Sequence, residues 1–152
     1  SLCGHAAQVG GAWLGIQREV AQRLTAQPGT KAYGRLTVLV QYRFEVEELL
    51  RIPRSVFFPQ PKVDSSWVRL TPRADPAVAV DDERLFFAVV QAAFAQRRKT
   101  LVNGLRMLQA PKLTRADAVQ VVHQLDWSDR IRGETLSLEQ FAQLANAIQK
   151  WV

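Results

Sequence analysis

An aromatic and proline-rich stretch, residues 56–66, carries the residue types best suited to binding a planar ligand. Its sequence is Val-Phe-Phe-Pro-Gln-Pro-Lys-Val-Asp-Ser-Ser. Proline fixes φ at about −65° and pushes the preceding residue towards extended conformations, so Pro59 and Pro61 predict a stiff loop. A stiff loop can hold an aromatic ring at the rim of a cleft, where the ring could stack on a nucleobase.

The two adjacent rings of this stretch, Phe57 and Phe58, also admit a simpler interpretation. The loop leads into an apolar run that ends at Leu70. Large apolar rings at the entrance of a strand are typical of a hydrophobic core. The residues of the loop, taken by themselves, favour this core assignment over base stacking.

Basic residues supply the second feature that could bind nucleic acid. The net charge is +6, and 15 of the 20 basic residues are arginine, whose planar fork pairs with phosphate and stacks on bases. A GC-rich coding sequence would also favour arginine. Residues 97–100 (Arg-Arg-Lys-Thr) lie at a predicted helix junction near Asn103. Such a cluster can bind phosphate, or it can stabilise the end of a helix. Further positive charge comes from Arg130, Arg132 and Lys112.

Several other chemistries lack the residues that they need. The sequence contains neither a Walker loop nor a dinucleotide-binding glycine motif. The histidines His5 and His123 and the single cysteine, Cys3, do not predict a metal site, and one cysteine excludes an internal disulfide. No apolar run approaches the roughly 20 residues that span a bilayer. We therefore expect a cytoplasmic protein with no metal and no membrane partner.

The predicted elements on either side of the aromatic loop are strands. Residues 44–52 and 63–71 have the composition of strands, and they would pair antiparallel through the loop. Upstream, the pattern predicts a short buried strand over 12–16, a helix over 17–25 and, after a turn, a second helix over 33–42.

The rest of the chain is predicted to be helical. Asp81 or Asp82 can cap a helix whose apolar stripe runs from Phe86 to Phe94. Further helices are predicted over 100–108, from Thr114 onwards and from the capping box at Ser137 onwards. The predicted organisation is α/β and then all-α, with domains at 1–72 and 81–152 joined by a linker at 73–80.

Five motifs in this chain resemble the small-subunit rRNA adenine dimethyltransferase family of the KsgA type. They are Q-R-E-V-A-Q-R-L at 17–24, Y-G-R-L-T-V-L-V-Q-Y at 33–42, F-x-P-x-P-K-V-D-S at 57–65, F-x-x-R-R-K-T-L-x-N at 94–103 and R-x-E-x-L-S-x-x-x-F-x-x-L at 132–144. Five ordered matches across the chain are far more specific than any single motif.

The resemblance implies a fold, a reaction and site residues. The family has a Rossmann-like domain that binds S-adenosylmethionine and a small helical C-terminal domain. It methylates the exocyclic amines of two adjacent adenosines in small-subunit rRNA, its partner being that RNA or a pre-ribosomal particle. Phe57 is then expected to stack on the flipped adenine, with Phe58 as a second candidate, at about 1–3 kcal/mol per base. The expected RNA-binding residues are Lys62, Arg97, Arg98, Lys99 and Arg132.

The chain departs from the family in its methyl-donor site. The family's glycine-rich loop, its acidic ribose-binding residue and its Asn-Leu-Pro-Tyr type motif have no counterpart here. The chain begins at Ser1, and its only methionine is Met107. We therefore expect the C-terminal remnant of a Rossmann-like S-adenosylmethionine-dependent methyltransferase domain followed by a small helical domain. Such a chain would bind no methyl donor and would be inactive alone.

Other functions stay open at this point. One is an antibiotic-resistance methylase of large-subunit rRNA, although the matches at 62–65 and 97–101 favour the small-subunit type. Another is a non-catalytic RNA-binding or ribosome-assembly module, and a third is a basic helical domain with no RNA role. Steeply salt-dependent binding to small-subunit RNA would distinguish the first two from the third.

Overall fold

The computed structural model describes residues 11–152, which form two compact units. The first unit contains residues 11–27 and 36–77, and the second contains residues 28–35 and 78–152. Cys3 and His5, and with them the beginning of the predicted first domain, lie outside the described residues.

The first unit is a small antiparallel sheet with two helices. Its elements are β1 (Ala12–Gln17), α1 (Arg18–Leu24), α2 (Arg35–Arg43), β2 (Phe44–Ile52) and β3 (Ser65–Pro72). The strand order is β1-β3-β2, so β3 is central and pairs antiparallel with both neighbours. The predicted antiparallel pair around the aromatic loop is therefore confirmed, as are the two helices.

One face of this sheet is covered and the other is open. Val68, at the centre of β3, is fully buried on the face against which α1 packs through Ala21 and Leu24. On the opposite face, 59% of Trp13 and 40% of Trp67 are exposed. The prediction that residues 12–16 form a buried strand is wrong in its burial. β1 is an edge strand, and no element of residues 11–152 covers the face that carries Trp13.

The second unit consists of four helices, preceded in sequence by the short segment 28–35. The helices are α3 (Glu83–Phe94), α4 (Leu101–Leu105), α5 (Arg115–Gln124) and α6 (Leu138–Ile148). The prediction of successive helices after the linker is confirmed, although α4 ends three residues before the predicted end at 108. The sheet unit followed by a helical unit agrees with the predicted fold class.

Side-chain caps explain where these helices begin. The Asp82 carboxylate accepts hydrogen bonds from the backbone N–H groups of Arg84 and Leu85, at 3.0 and 3.2 Å. Thr114 and Ser137 each open a capping box, in which the cap side chain and the third helical residue satisfy each other's backbone N–H groups. Because such caps act locally, the sequence predicted these starts correctly.

An aromatic row forms the centre of the helical unit. The Phe94 ring lies 5.9 Å from that of Tyr33 and 5.7 Å from that of Phe141, measured between centroids. The Tyr33 hydroxyl donates to the Leu136 carbonyl. Burial, followed by the nearby Glu139 charge, raises the pKa of Tyr33, so the hydroxyl stays protonated and keeps donating. This row ties segment 28–35 to α3 and α6.

Candidate nucleic-acid interface

The loop between β2 and β3 is anchored at both ends by Asp64. Its carboxylate accepts hydrogen bonds from the Arg54 backbone N–H at 2.9 Å and from the Arg51 guanidinium at 3.1 Å. The Asp64 carbonyl accepts from the Arg18 backbone N–H at 3.0 Å, and the Arg54 guanidinium donates to the Lys62 carbonyl at 3.0 Å. These contacts fix the ends of residues 54–64 and leave the middle of the loop free to project.

The ionised form of Asp64 is the one that holds the loop. The hydrogen bond from the Arg54 N–H, and after it that from Arg51, lowers the pKa of the carboxyl below its ordinary value of 3.8. A carboxyl whose pKa is lowered by folding stabilises the folded state above the ordinary value. That contribution is lost as the pH falls through the lowered pKa.

We expect Asp64→Asn to release the start of the loop. In the parent protein, the NMR signal of the Arg54 amide should shift on acidification with a midpoint below 3.8, because the hydrogen-bonded carboxyl becomes protonated. In the Asp64→Asn variant the shift should disappear. Asp75→Asn, at an exposed position of the same unit, is the matched control. If the Arg54 titration were unchanged by Asp64→Asn, another group would have to anchor the loop.

The aromatic side chains of the loop point towards solvent. Phe58 is 100% exposed and Phe57 is 42% exposed, so neither ring belongs to the core, and the core assignment that the loop residues favoured is wrong. Val56 and Val63, on either side, are also exposed. Exposed apolar groups concentrated on an anchored loop are typical of a binding surface. Lys62 is exposed on the same loop and adds a positive charge.

The cations predicted to bind RNA divide into two groups. Arg98 and Lys99 are exposed, and neither makes an ion pair among the described residues. Arg97 instead donates from one guanidinium nitrogen to the carbonyls of Lys31 and Tyr33, at 3.0 and 2.8 Å. Arg97 therefore holds segment 28–35 in place, and only its remaining N–H groups are left for a ligand.

The fifth predicted cation, Arg132, lies near the same helix junction. The Leu101 backbone N–H, at the start of α4, donates to the Ile131 carbonyl at 2.7 Å. This bond brings Arg132 to the end of the helical unit that carries residues 97–99. Arg132 lies 3.5 Å from Glu134, but the pair is half-exposed and its cation stays accessible. The chain thus brings two separate sequence motifs into one positive surface.

Sequence reasoning missed two further cations beside this junction. Arg106 and Arg115 line a cleft of about 640 Å³ together with Lys99 and Lys112. Arg106 follows the short helix α4, and Arg115 is the first residue of α5. The only signal in the sequence is the recurrence of isolated basic residues at 99, 106, 112 and 115, which carries no helical or strand period.

Nothing among residues 11–152 fits S-adenosylmethionine or a metal. The three strands are antiparallel, and no glycine-rich turn leads from a strand into a helix, whereas cofactor loops of the Rossmann type follow parallel strands. No group of three His, Cys, Asp or Glu side chains in this part of the chain is placed to hold a metal ion. None of its helices has the length and apolar character required to cross a bilayer.

Comparison with known proteins gives a consistent set of relatives. A family model described as ribosomal RNA adenine dimethylase matches residues 5–150. Proteins named ribosomal RNA small subunit methyltransferase A are 50% identical over 135 residues in Geobacillus sp. (strain WCH70) and 52% identical over 134 residues in Geobacillus kaustophilus. Each match covers 88% of this chain but 46% of the relative, in its C-terminal region. The chain thus spans about half the length of these relatives.

Two solved structures share the fold. A dimethyladenosine transferase from Plasmodium falciparum superposes with a TM-score of 0.76 at 25% identity, covering 99% of this chain and 62% of that protein. The 23S rRNA methyltransferase ErmE superposes with a TM-score of 0.63, also at 25% identity, covering 97% of this chain and 58% of that protein. Both neighbours are longer than this chain.

Proposed function

This chain belongs to the ribosomal RNA adenine dimethylase family, and from that membership we propose that it forms the adenine-holding loop and the RNA-binding helical unit of an rRNA adenine methyltransferase. The substrate is small-subunit rRNA, free or in a pre-ribosomal particle, and the location is the cytoplasm, where that RNA is assembled into ribosomes. The methyl donor is S-adenosylmethionine, bound by residues outside this chain. The chain by itself transfers no methyl group.

The exposed Phe58 ring on a loop anchored through Asp64 is the observation that carries this proposal. A base that leaves its stack loses its neighbours and must be held by new planar or apolar surfaces. Phe58 offers a whole ring, and Phe57 offers a partly exposed one beside it. A fixed loop favours binding, because little conformational entropy is lost when the base arrives.

The charged surfaces support an RNA substrate in particular. Arg98 and Lys99 have no competing carboxylate among the described residues, and Arg132 reaches the same helix junction. Cations at one end of a helical unit suit the sugar-phosphate backbone of folded RNA, which is recognised largely through shape and phosphate contacts. Lys62, beside the aromatic rings, is placed to contact a phosphate that flanks the held base.

Two observations bear on the alternative functions. The structural similarity to ErmE, named as a 23S rRNA methyltransferase, fits a large-subunit substrate, but the relatives at about 50% identity are all named as small-subunit enzymes. A non-catalytic RNA-binding module would use the cations of the helical unit without needing the Phe58 ring. The two classes therefore differ in how they respond to substitution of that ring.

The test joins this chain to the N-terminal half of its Geobacillus kaustophilus relative. The fused protein should transfer labelled methyl groups from S-adenosylmethionine to small-subunit rRNA, and the isolated chain should bind the RNA without methylating it. Phe58→Ala in the fused protein should lower kcat/KM roughly 5- to 150-fold, because stacking contributes about 1–3 kcal/mol per base.

Matched variants separate stacking from other effects. Phe58→Trp should keep most of the activity, since a larger ring can still stack on adenine. Val152→Ala removes an exposed apolar group far along the sequence and should have no effect. Full activity of the Phe58→Ala variant would contradict the stacking role. Methyl transfer by the isolated chain would contradict the assignment of the donor site to residues outside it.

A further inference from the structure

The cleft beside the helix junction concentrates positive charge. Lys99, Arg106, Lys112 and Arg115 line it, and all four side chains are exposed. None of them forms an ion pair with a carboxylate among the described residues. Like charges gathered in one concave site repel each other, which costs stability unless an anion is bound there. The arrangement therefore indicates an anionic ligand.

Two details of the local structure strengthen the case for an anionic ligand. The nearest acidic residue along the chain, Asp117, is held in the capping box, where its carboxylate accepts from the Thr114 N–H at 3.0 Å. That hydrogen bond lowers the pKa of Asp117, but the carboxylate faces its own helix start and is not among the residues that line the cleft. The first turn of α5 adds the partial positive charge of a helix N-terminus beside Arg115.

The lining also contains neutral hydrogen-bond donors and an apolar floor. Asn103, Gln96 and the Thr114 hydroxyl face the cleft, and Met107 and Leu113 supply apolar surface. A phosphodiester chain presents this combination, since its phosphates need cations and donors whereas its sugars make apolar contacts. A volume of about 640 Å³ is larger than one phosphate ion requires and is comparable with a short stretch of nucleotide backbone.

We propose that this cleft, lined by Lys99, Arg106, Lys112 and Arg115, binds the phosphodiester backbone of the RNA substrate at a second place, apart from the adenine-holding loop. The inference rests on the proposed function, and it extends the RNA-binding set to Arg106, Lys112 and Arg115. Contacts of this kind position the RNA without reading its sequence. They should therefore affect binding of every adenosine substrate equally.

The experiment removes the three added cations together, in the variant Arg106→Gln/Lys112→Gln/Arg115→Gln. Binding of the chain to small-subunit rRNA is measured by filter binding over a series of salt concentrations. Each lost phosphate contact lowers the slope of log K against log salt by about 0.7–0.9. The triple variant should therefore lose about two units of slope and bind at least 10-fold more weakly at low salt.

Matched variants show whether the position of the charges matters. Arg23→Gln/Arg84→Gln/Lys150→Gln removes the same number of exposed cations outside the cleft and should retain the slope. Arg106→Lys/Arg115→Lys keeps the charge and should also retain it. Circular dichroism and thermal unfolding must show that all variants stay folded. A slope unchanged in the cleft variant, or lowered equally in both triple variants, overturns the proposal.

A phosphate titration distinguishes the two sources of this ligand chemistry. If inorganic phosphate alone saturates the cleft, seen as shifts in the Arg106 and Arg115 side-chain NMR signals, and the triple variant binds RNA normally, the cleft is a free-phosphate site and the RNA assignment is wrong. Failure of the parent chain to bind small-subunit rRNA overturns the proposed function as well. Normal RNA binding by both parent and cleft variant overturns only the cleft.

Discussion

Replacing Phe141 with alanine is expected to lower the free energy of unfolding of the helical unit by about 3–5 kcal/mol. Phe141 lies on α6, is fully buried and packs against Phe94, with 5.7 Å between ring centroids. Truncation removes the transfer free energy of the ring and leaves a cavity that helices fixed by capping boxes cannot easily fill. A loss of this size is a large fraction of the usual stability of a domain.

Urea denaturation followed by far-ultraviolet circular dichroism measures this loss. Gln143→Ala, at an exposed position of the same helix, is the matched control and should change the free energy of unfolding by less than about 0.5 kcal/mol. Phe141→Leu should fall between the two, because it leaves a smaller cavity. If Phe141→Ala cost less than about 1 kcal/mol, the aromatic row would not be the centre of this unit.

Gly133→Ala is expected to destabilise the same unit by about 1–3 kcal/mol. A Cβ atom at position 133 would lie 2.8 Å from both the Cβ atom and the carbonyl oxygen of Ala93. Neither neighbour is the end of a flexible side chain, so α3 or the 133–135 turn must move. That movement would also displace Arg132, which the proposed function places against RNA.

The prediction is measured as the free energy of unfolding together with rRNA affinity. Gly34→Ala is the matched control in the same unit, since its added Cβ would approach only the Arg97 guanidinium, at 3.9 Å. Gly-to-Ala changes without a clash are neutral or stabilise by about 0.4–1 kcal/mol, so the sign itself distinguishes the two sites. Equal effects of both changes would show that the close approach at Gly133 is relaxed at little cost.

Much of the fold was predictable because its signals are local. The bounds of β2 were predicted residue for residue, and the capping boxes at Thr114 and Ser137 begin helices where the sequence placed them. The length of residues 33–42 and the spacing of Leu36 and Val40 were enough to choose a helix there. The family motifs were likewise legible in the sequence, since each is a short run of consecutive residues.

The candidate site was only partly predictable, because burial and pairing depend on distant residues. The sequence marked Phe57 and Phe58 but, from the loop alone, favoured the core for them, and the structure exposes both rings. It grouped Arg97 with Arg98 as equivalent cations, yet Arg97 is occupied by two backbone carbonyls more than sixty residues earlier in the chain. Asp64 was noted only as part of a motif, although it anchors the loop.

The sequence alone determined the order of strands and helices, the starts of the capped helices and the family. Each of these follows from residues within one or two turns of each other, whose backbone preferences and hydrogen bonds do not need the rest of the molecule. Tertiary structure alone decided which cations stay free, and it assembled the cleft from residues 99 to 115. Free charge and concave shape are properties of surfaces, and a surface exists only after the chain has packed.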